Sequence, residues 1–265
     1  MISDCNSDHG VELQLVTKWI REVGELALNL RATANIRLKT DNTIVTDVDH
    51  AIEDRLLDKI AEHYPNHSVL SEEGRLKTNN SKYLWIIDPI DGTRAFASGL
   101  PFWAISIGIF YDRKPHAGFL FLPETKELYW GTSGQAYYDN RPLARVTAPT
   151  LLDSLAFIAV PSNAHILYEL EFPRVRSFGS TAIHLAYVAR GIATAALTRR
   201  AKIWDIAGIL PLLTATGITL EYLSGKPLET CGFLSGSSFP EPLIAAPASI
   251  MKAIRESIQV KSTQK

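Results

Sequence analysis

Leu84-Trp85-Ile86-Ile87-Asp88-Pro89-Ile90-Asp91-Gly92-Thr93 is the stretch from which the rest of the chain can be read. Four apolar residues run into an acid, and a second acid follows three residues later. A short apolar run bounded by turn residues reads as a buried strand. Asp88 then sits where the strand delivers its last residue to the rim of a sheet, which is where α/β folds bind ligands. Pro89 stiffens the turn, and Gly92 permits close approach of another backbone or a ligand. The spacing does not supply the oxygen ligands of an EF-hand loop.

Three more acidic segments stand at the edges of apolar elements: Val45-Thr46-Asp47-Val48-Asp49, Ser71-Glu72-Glu73-Gly74 and Trp204-Asp205. If the four rims meet, their carboxylates repel and raise one another's pKa. A divalent cation relieves that repulsion, and hard oxygen ligands favour Mg²⁺ or Mn²⁺. Each piece also has a plainer reading. Thr46 with Asp49 is a capping-box pattern, Glu72-Glu73-Gly74 a solvated turn, and Asp205 the N-cap of the helix after it.

Asp88-Pro89-Ile90-Asp91-Gly92-Thr93, with Trp85 before it and Phe96 after it, resembles the signature of the inositol monophosphatase family. The other segments follow in that family's order. Thr46 and Asp49 match its first acidic motif, Glu72-Glu73 its acidic pair, and Trp204-Asp205-Ile206-Ala207-Gly208 its C-terminal motif. Arg176-Ser177-Phe178-Gly179-Ser180, opening a helix, is also similar, so the resemblance spans nearly the whole chain. It implies a lithium-sensitive, Mg²⁺-dependent phosphatase that works as a homodimer on a small phosphorylated metabolite.

The resemblance also implies roles. Glu72, Asp88 and the carbonyl of Ile90 would bind a first metal, and Asp88, Asp91 and Asp205 a second, with a weaker third ion near Glu72. Thr93 and Asp49 would orient the attacking water, with Glu72 helping to take its proton, and Glu73 would stand behind these groups. The backbone of Gly92 and Thr93, opening a helix around Arg94, would hold phosphate oxygens. Two metals clamping the attacking and leaving oxygens need no nucleophilic side chain. The chain shows no Gly-x-Ser-x-Gly elbow and no Walker A loop. The seven histidines are scattered, and His184, inside an apolar helix, reads as a core or surface residue.

Substrate contacts depart from the pattern. Inositol-specific members resemble one another in having a glutamate seven residues before the C-terminal aspartate; here that position is Thr198, followed by Arg199, Arg200 and Lys202. The basic cluster is either a solvated face or a clamp for a second anionic group on the substrate. Thr198 and Arg199 are the candidate substrate contacts. Thr93-Arg94-Ala95-Phe96 through Pro101 is somewhat similar to the histidinol-phosphate phosphatase branch. Histidinol phosphate, fructose 1,6-bisphosphate and 3′-phosphoadenosine 5′-phosphate therefore stand beside inositol phosphate as substrates. The reading from another class is a non-catalytic, acid-lined metal-binding scaffold.

The chain outside the motifs reads as mixed α and β. Periodicity predicts amphipathic helices over residues 11–31 and 47–64. Short strands follow at 68–70, 84–87, 103–111, 116–122 and 127–130, with another around Asn140. In the second half, strands at 153–160, 192–197, 218–223 and 243–246 alternate with helices at 180–190, 206–216 and 247–259. Pro211 should kink the 206–216 helix by crowding Ala207. Helices and strands alternate irregularly, so the fold class is α+β or a layered α/β sandwich, not a barrel. The composition shifts around 147–150. That divides the chain into an N-terminal α+β subdomain (1–148) carrying most metal ligands and a C-terminal α/β subdomain (149–265) contributing Asp205 and substrate contacts.

Composition excludes other classes. The 265 residues are 46% hydrophobic and 21% charged, which fits a globular protein and neither a disordered chain nor a coiled coil. Lys plus Arg number 27 against 28 Asp plus Glu, so no bulk charge points to nucleic acid or an anionic membrane. Residues 1–10 have no apolar core for a signal peptide. The longest uncharged run, 95–111, holds Gly99, Pro101 and Gly108 and is short for a membrane span. Cys5 and Cys231 cannot build a disulfide framework, which fits a cytoplasmic protein.

Overall fold

The computed structural model describes residues 10–40, 43–74, 76–147 and 155–261. Apolar side chains on successive faces stack helices and sheets into five alternating layers. In the outermost layer lie the helices Leu13–Arg31 and Asp47–His63. Val16, Ile20, Val23 and Ala27 of the first and Ile52, Leu56 and Ile60 of the second are buried. They pack on Trp85, Ile87, Ile105, Ile107 and Phe119 of an eight-stranded sheet. The strand order of that sheet is Arg141–Pro142, Ala136–Tyr138, Glu127–Thr132, Lys114–Leu122, Ala104–Tyr111, Tyr83–Asp91, Ser68–Ser71, Leu76–Lys77. It is antiparallel except where Ser68–Ser71 runs parallel to Tyr83–Asp91.

Period-two alternation puts Ile86, Phe110, Leu120 and Leu122 on the other face. There they meet a middle layer of three helices, Thr181–Ala189, Ile203–Ala207 and Leu210–Thr216. A five-stranded sheet backs this layer, in the order Val175–Arg176, Ile158–Ala159, Ala195–Leu197, Leu243–Pro247, Ile218–Tyr222. Its far face carries Ile158, Leu197 and Ile244 against Tyr168, Met251, Ile254 and Ile258. This layered α+β architecture is the fold class expected from the sequence.

Several local expectations are corrected. The 206–216 helix is two helices broken at Gly208-Ile209, and Pro211 lies in the first turn of the second, where its missing N–H costs little. Asp205 is not an N-cap: the helix begins at Ile203, and Asp205 is its third residue. The helix after Gly92 starts at Thr93. The closing 247–259 helix shrinks to Met251–Glu256, and Ile258–Val260 instead pairs antiparallel with Tyr168–Leu170. The strand around Asn140 is a hairpin of two short strands turning at Asp139-Asn140, with Asp139 at φ +51°. The 148/149 boundary, the start of the 153–160 strand and Cys5 lie outside the described residues. No helix among the described residues is long and apolar enough to cross a membrane.

Candidate metal-dependent active site

Strand Tyr83–Asp91 places two acids on one face by a bulge. In a regular strand, residues three apart point to opposite sides. Here Asp88 pairs with Ser106 and Asp91 with Ala104, so one extra residue is accommodated at Pro89-Ile90. Proline suits a bulge because it has no ladder N–H to give. Both carboxylates then face the middle helix layer, where Ser106 Oγ donates to the carbonyl of Trp204 at 3.4 Å.

Asp205 arrives from that layer because glycines let its helix lie directly on the sheet. A Cβ at Gly108 would come within 2.5 Å of Ala207 Cβ. One at Gly118 would come within 2.2 Å of the Gly208 carbonyl, and one at Gly208 within 2.5 Å of Ser106 Oγ. As a result, carboxylate oxygens of Asp88, Asp91 and Asp205 all lie within 4.8 Å of one another.

The electrostatics are those of an uncompensated acid cluster. Burial first, and then Glu72, Asp91 and Asp205, push the Asp88 carboxyl well above the usual range. Burial and the charges of Asp91 and Glu72 do the same to Asp205, opposed by Lys202 and its N–H, which donates to Asp205 Oδ2 at 2.8 Å. Asp91 is pushed up to about 6 by burial, although Ser180 Oγ and the Ala182 N–H (2.7 Å) donate to its Oδ2. Asp88 Oδ1 is buried and accepts no hydrogen bond. An orphaned oxygen among mutually repelling carboxylates, all hard donors, fits a divalent ion such as Mg²⁺.

The remaining predicted residues surround this cluster. Glu72 extends from strand Ser68–Ser71 and is half-buried, and burial raises its pKa against the pull of Lys39. The side chain of Glu73 is 4% exposed, so this acid pair is not a solvated turn. Asp49 is the third residue of helix Asp47–His63, and the capping box is real: Thr46 N and Oγ1 donate to its Oδ2 at 2.8 and 2.6 Å. Its Oδ1 is nevertheless buried without a partner, and burial carries its pKa to about 7. Capping therefore occupies only one of the two oxygens. Thr93 Oγ1 donates to the Ile90 carbonyl at 3.0 Å, tying together two of the predicted site residues. Gly92, at φ +93°, is enclosed: a Cβ there would be 3.1 Å from the Phe102 carbonyl and 3.2 Å from that of Gly179.

Thr198 and the basic residues after it take different partners. Thr198 is buried, its hydroxyl accepting from Leu243 N at 3.1 Å, so it secures a sheet. The charge of Arg199 falls on the Tyr168 phenol, in the layer beyond the five-stranded sheet. Lys202 is the basic residue whose charge reaches Asp205, with Nζ 4.9 Å from the Trp204 ring centroid. His184 is a core residue, its Nε2 accepting from Phe178 N at 3.0 Å while burial lowers its pKa to about 4.

Two participants escaped the sequence reading. Ser180, N-cap of helix Thr181–Ala189, holds Asp91 in place. The Arg176–Ser180 motif pointed at this segment but not at that bond. Lys39 lies 3.4 Å from Glu72 and 2.7 Å from Glu73. Burial alone would depress its ammonium, but the two carboxylates outweigh it and raise the pKa. A lone lysine before a short strand carries no signal of this pairing.

Comparison with known proteins agrees with the geometry. The model of the inositol monophosphatase family matches residues 12–259. An inositol-1-monophosphatase of Bacillus subtilis is 34% identical over 241 residues, covering 84% of this chain and 91% of that protein. A fructose-1,6-bisphosphatase/inositol-1-monophosphatase of Aquifex aeolicus is 30% identical over 217 residues, 77% and 81% of the two chains. A Staphylococcus aureus inositol monophosphatase II with bound 2′-AMP superposes with a TM-score of 0.76 at 29% identity, covering 92% of each chain. Fold, acid cluster and sequence match converge, and the chain belongs to the inositol monophosphatase family.

Proposed function

We propose that this chain, a metal-dependent phosphomonoester hydrolase by family, acts at the Asp88–Asp91–Asp205 cluster on a small phosphorylated polyol, sugar or nucleotide. The convergence of those three carboxylates within 4.8 Å, one bearing an orphaned oxygen, carries the reading. Asp88, Asp91, Asp205, Glu72 and the Ile90 carbonyl would hold two or three Mg²⁺ ions, with Mn²⁺ as a substitute. Bound there, the ions would supply a nucleophilic water and neutralise the phosphoryl oxygens.

The chain's own residues do the rest. Asp49, whose Oδ1 accepts no hydrogen bond, would orient the attacking water together with Thr93. Thr93 and Gly92 present backbone N–H groups at the turn after Asp91. Glu72 accepts the proton of the attacking water. Lys39 offsets the charge of the Glu72-Glu73 pair. Lys202, whose charge acts on Asp205, is a basic group that could meet a second anionic substituent.

The relatives support a range of substrates: one is named for a bisphosphatase as well as a monophosphatase, and another binds 2′-AMP. A cytoplasmic homodimer inhibited by Li⁺ belongs to the same proposal. Initial rates with Mg²⁺ on inositol 1-phosphate, histidinol phosphate, fructose 1,6-bisphosphate, 3′-phosphoadenosine 5′-phosphate and 2′-AMP test it. Phosphate release that EDTA abolishes is the expected result. No release from any of the five, in protein shown to bind Mg²⁺, would favour the scaffold reading instead.

A further inference from the structure

The segment that follows the turn Asp91-Gly92-Thr93 is gripped by a residue of the outer helix layer. Arg31 ends helix Leu13–Arg31 and is 18% exposed. Its Nε and Nη2 donate to the Phe96 carbonyl at 3.2 and 2.9 Å, and Nη2 also donates to the carbonyls of Leu100 at 2.7 Å and Ala95 at 3.5 Å. Nη1 pairs with Glu124. The guanidinium carbon lies 5.2 Å from the Phe96 ring centroid and 5.8 Å from that of Trp103.

These carbonyls belong to the segment that fixes the turn from both sides. Phe96 N donates to the Gly92 carbonyl at 3.0 Å, so the end of the five-residue helix is one hydrogen bond from the turn. Leu100 leads within two residues to Phe102, whose carbonyl packs against Gly92. Ala104 then opens the strand that pairs with Asp91. One planar fork thus gathers both limbs of a loop that leaves and re-enters the site.

We infer that Arg31 is a positioning residue for the reaction: it acts through Phe96 and Leu100 to set Gly92 and Thr93 against the carboxylate cluster. The inference rests on the functional reading above. Lysine cannot replace the fork, because its single ammonium does not reach three carbonyls and a carboxylate at once. Displacement of catalytic groups by about 1 Å costs on the order of 100-fold in rate.

The test measures kcat, KM and melting temperature for the parent, Arg31→Lys and Arg31→Ala, with amide hydrogen exchange over residues 92–104. For Arg31→Lys, kcat should fall about 10- to 100-fold with KM changing less than threefold, and exchange should quicken over residues 92–104 but not in helix Ile203–Ala207. Methylguanidinium at tens of millimolar should restore at least fivefold of the activity lost in Arg31→Ala, and methylammonium should not. A kcat of Arg31→Lys within threefold of the parent, or unaltered exchange at 92–104, overturns the inference, as does a folded Arg31→Ala that methylguanidinium leaves inactive. If Arg31→Ala does not fold, Arg31→Lys alone decides. A parent inactive on every phosphate tried would count against the functional reading, and the exchange measurement would still report on the clamp.

Discussion

Asp88 and Asp205 reach the same cluster on opposite kinds of scaffold. Asp88 lies in a nine-residue strand inside the larger sheet, and its aim is set by a bulge within four residues of chain. Asp205 sits in a five-residue helix whose position depends on Gly108, Gly118 and Gly208, scattered over a hundred residues. The first placement is local and resistant to distant change. The second is a tolerance of packing, lost when any of three contacts acquires a methyl group. One half of the site is therefore robust and the other is adjustable.

Removing the robust half should have the largest effect. Asp88→Asn keeps the shape but loses the charge needed between ions, and kcat should fall at least 1,000-fold in a phosphate-release assay. Activity within tenfold of the parent would break the comparison at once. Without metal, the variant should melt at or above the parent's temperature, because one of several crowded anions is gone.

Disturbing the adjustable half should cost less. Gly118→Ala puts a methyl group against the Gly208 carbonyl, so the helix must shift. Overpacking of this kind costs about 1–3 kcal/mol, and the displaced Asp205 should lower kcat roughly tenfold. A lowered melting temperature with parental kcat would mean that this close contact serves packing alone.

The same contrast explains what the sequence could convey. The turn at residues 88–93 was legible because its chemistry is contiguous: apolar run, acid, proline, acid, glycine. Asp49 carried two readings; the capping box holds, and it uses one carboxylate oxygen while the other accepts no hydrogen bond. The first two helices were legible from periodicity alone. The break at Gly208-Ile209 was not: it falls where Gly208 packs closely against Gly118, distant in sequence and so without a local signal. Neither was the direction of the basic cluster. Thr198, Arg199 and Lys202 are close in sequence, but the Thr198 hydroxyl is taken by the Leu243 N–H, while the charge of Arg199 acts on Tyr168 and that of Lys202 on Asp205.

That divergence predicts the smallest effects. Lys202→Met should raise KM for fructose 1,6-bisphosphate about two- to fivefold at low salt, the scale of a partly exposed charge contact. Arg199→Ala should change it less than Lys202→Met does. The reverse order would bring Arg199 back to the mouth of the site and sharpen the question of what Thr198 replaces.

The account stands or falls on whether the carboxylates form a metal site, and thermal melting with and without Mg²⁺ at pH 5 and pH 8 reads this directly. In the metal-free fold, burial holds Asp91 near 6 and Asp49 near 7 and raises Asp88 and Asp205, so the native state keeps protons that the unfolded chain releases above about 4. The stability Asp91 and Asp49 contribute is complete below pH 4 and is lost as pH rises through 6 to 7, and that of Asp88 and Asp205 is lost in the same direction. Mg²⁺ competes with those protons, so its stabilisation should be small at pH 5, large at pH 8 and absent in Asp88→Asn. A Mg²⁺ shift that is equal at both pH values, or that survives in Asp88→Asn, would contradict the account.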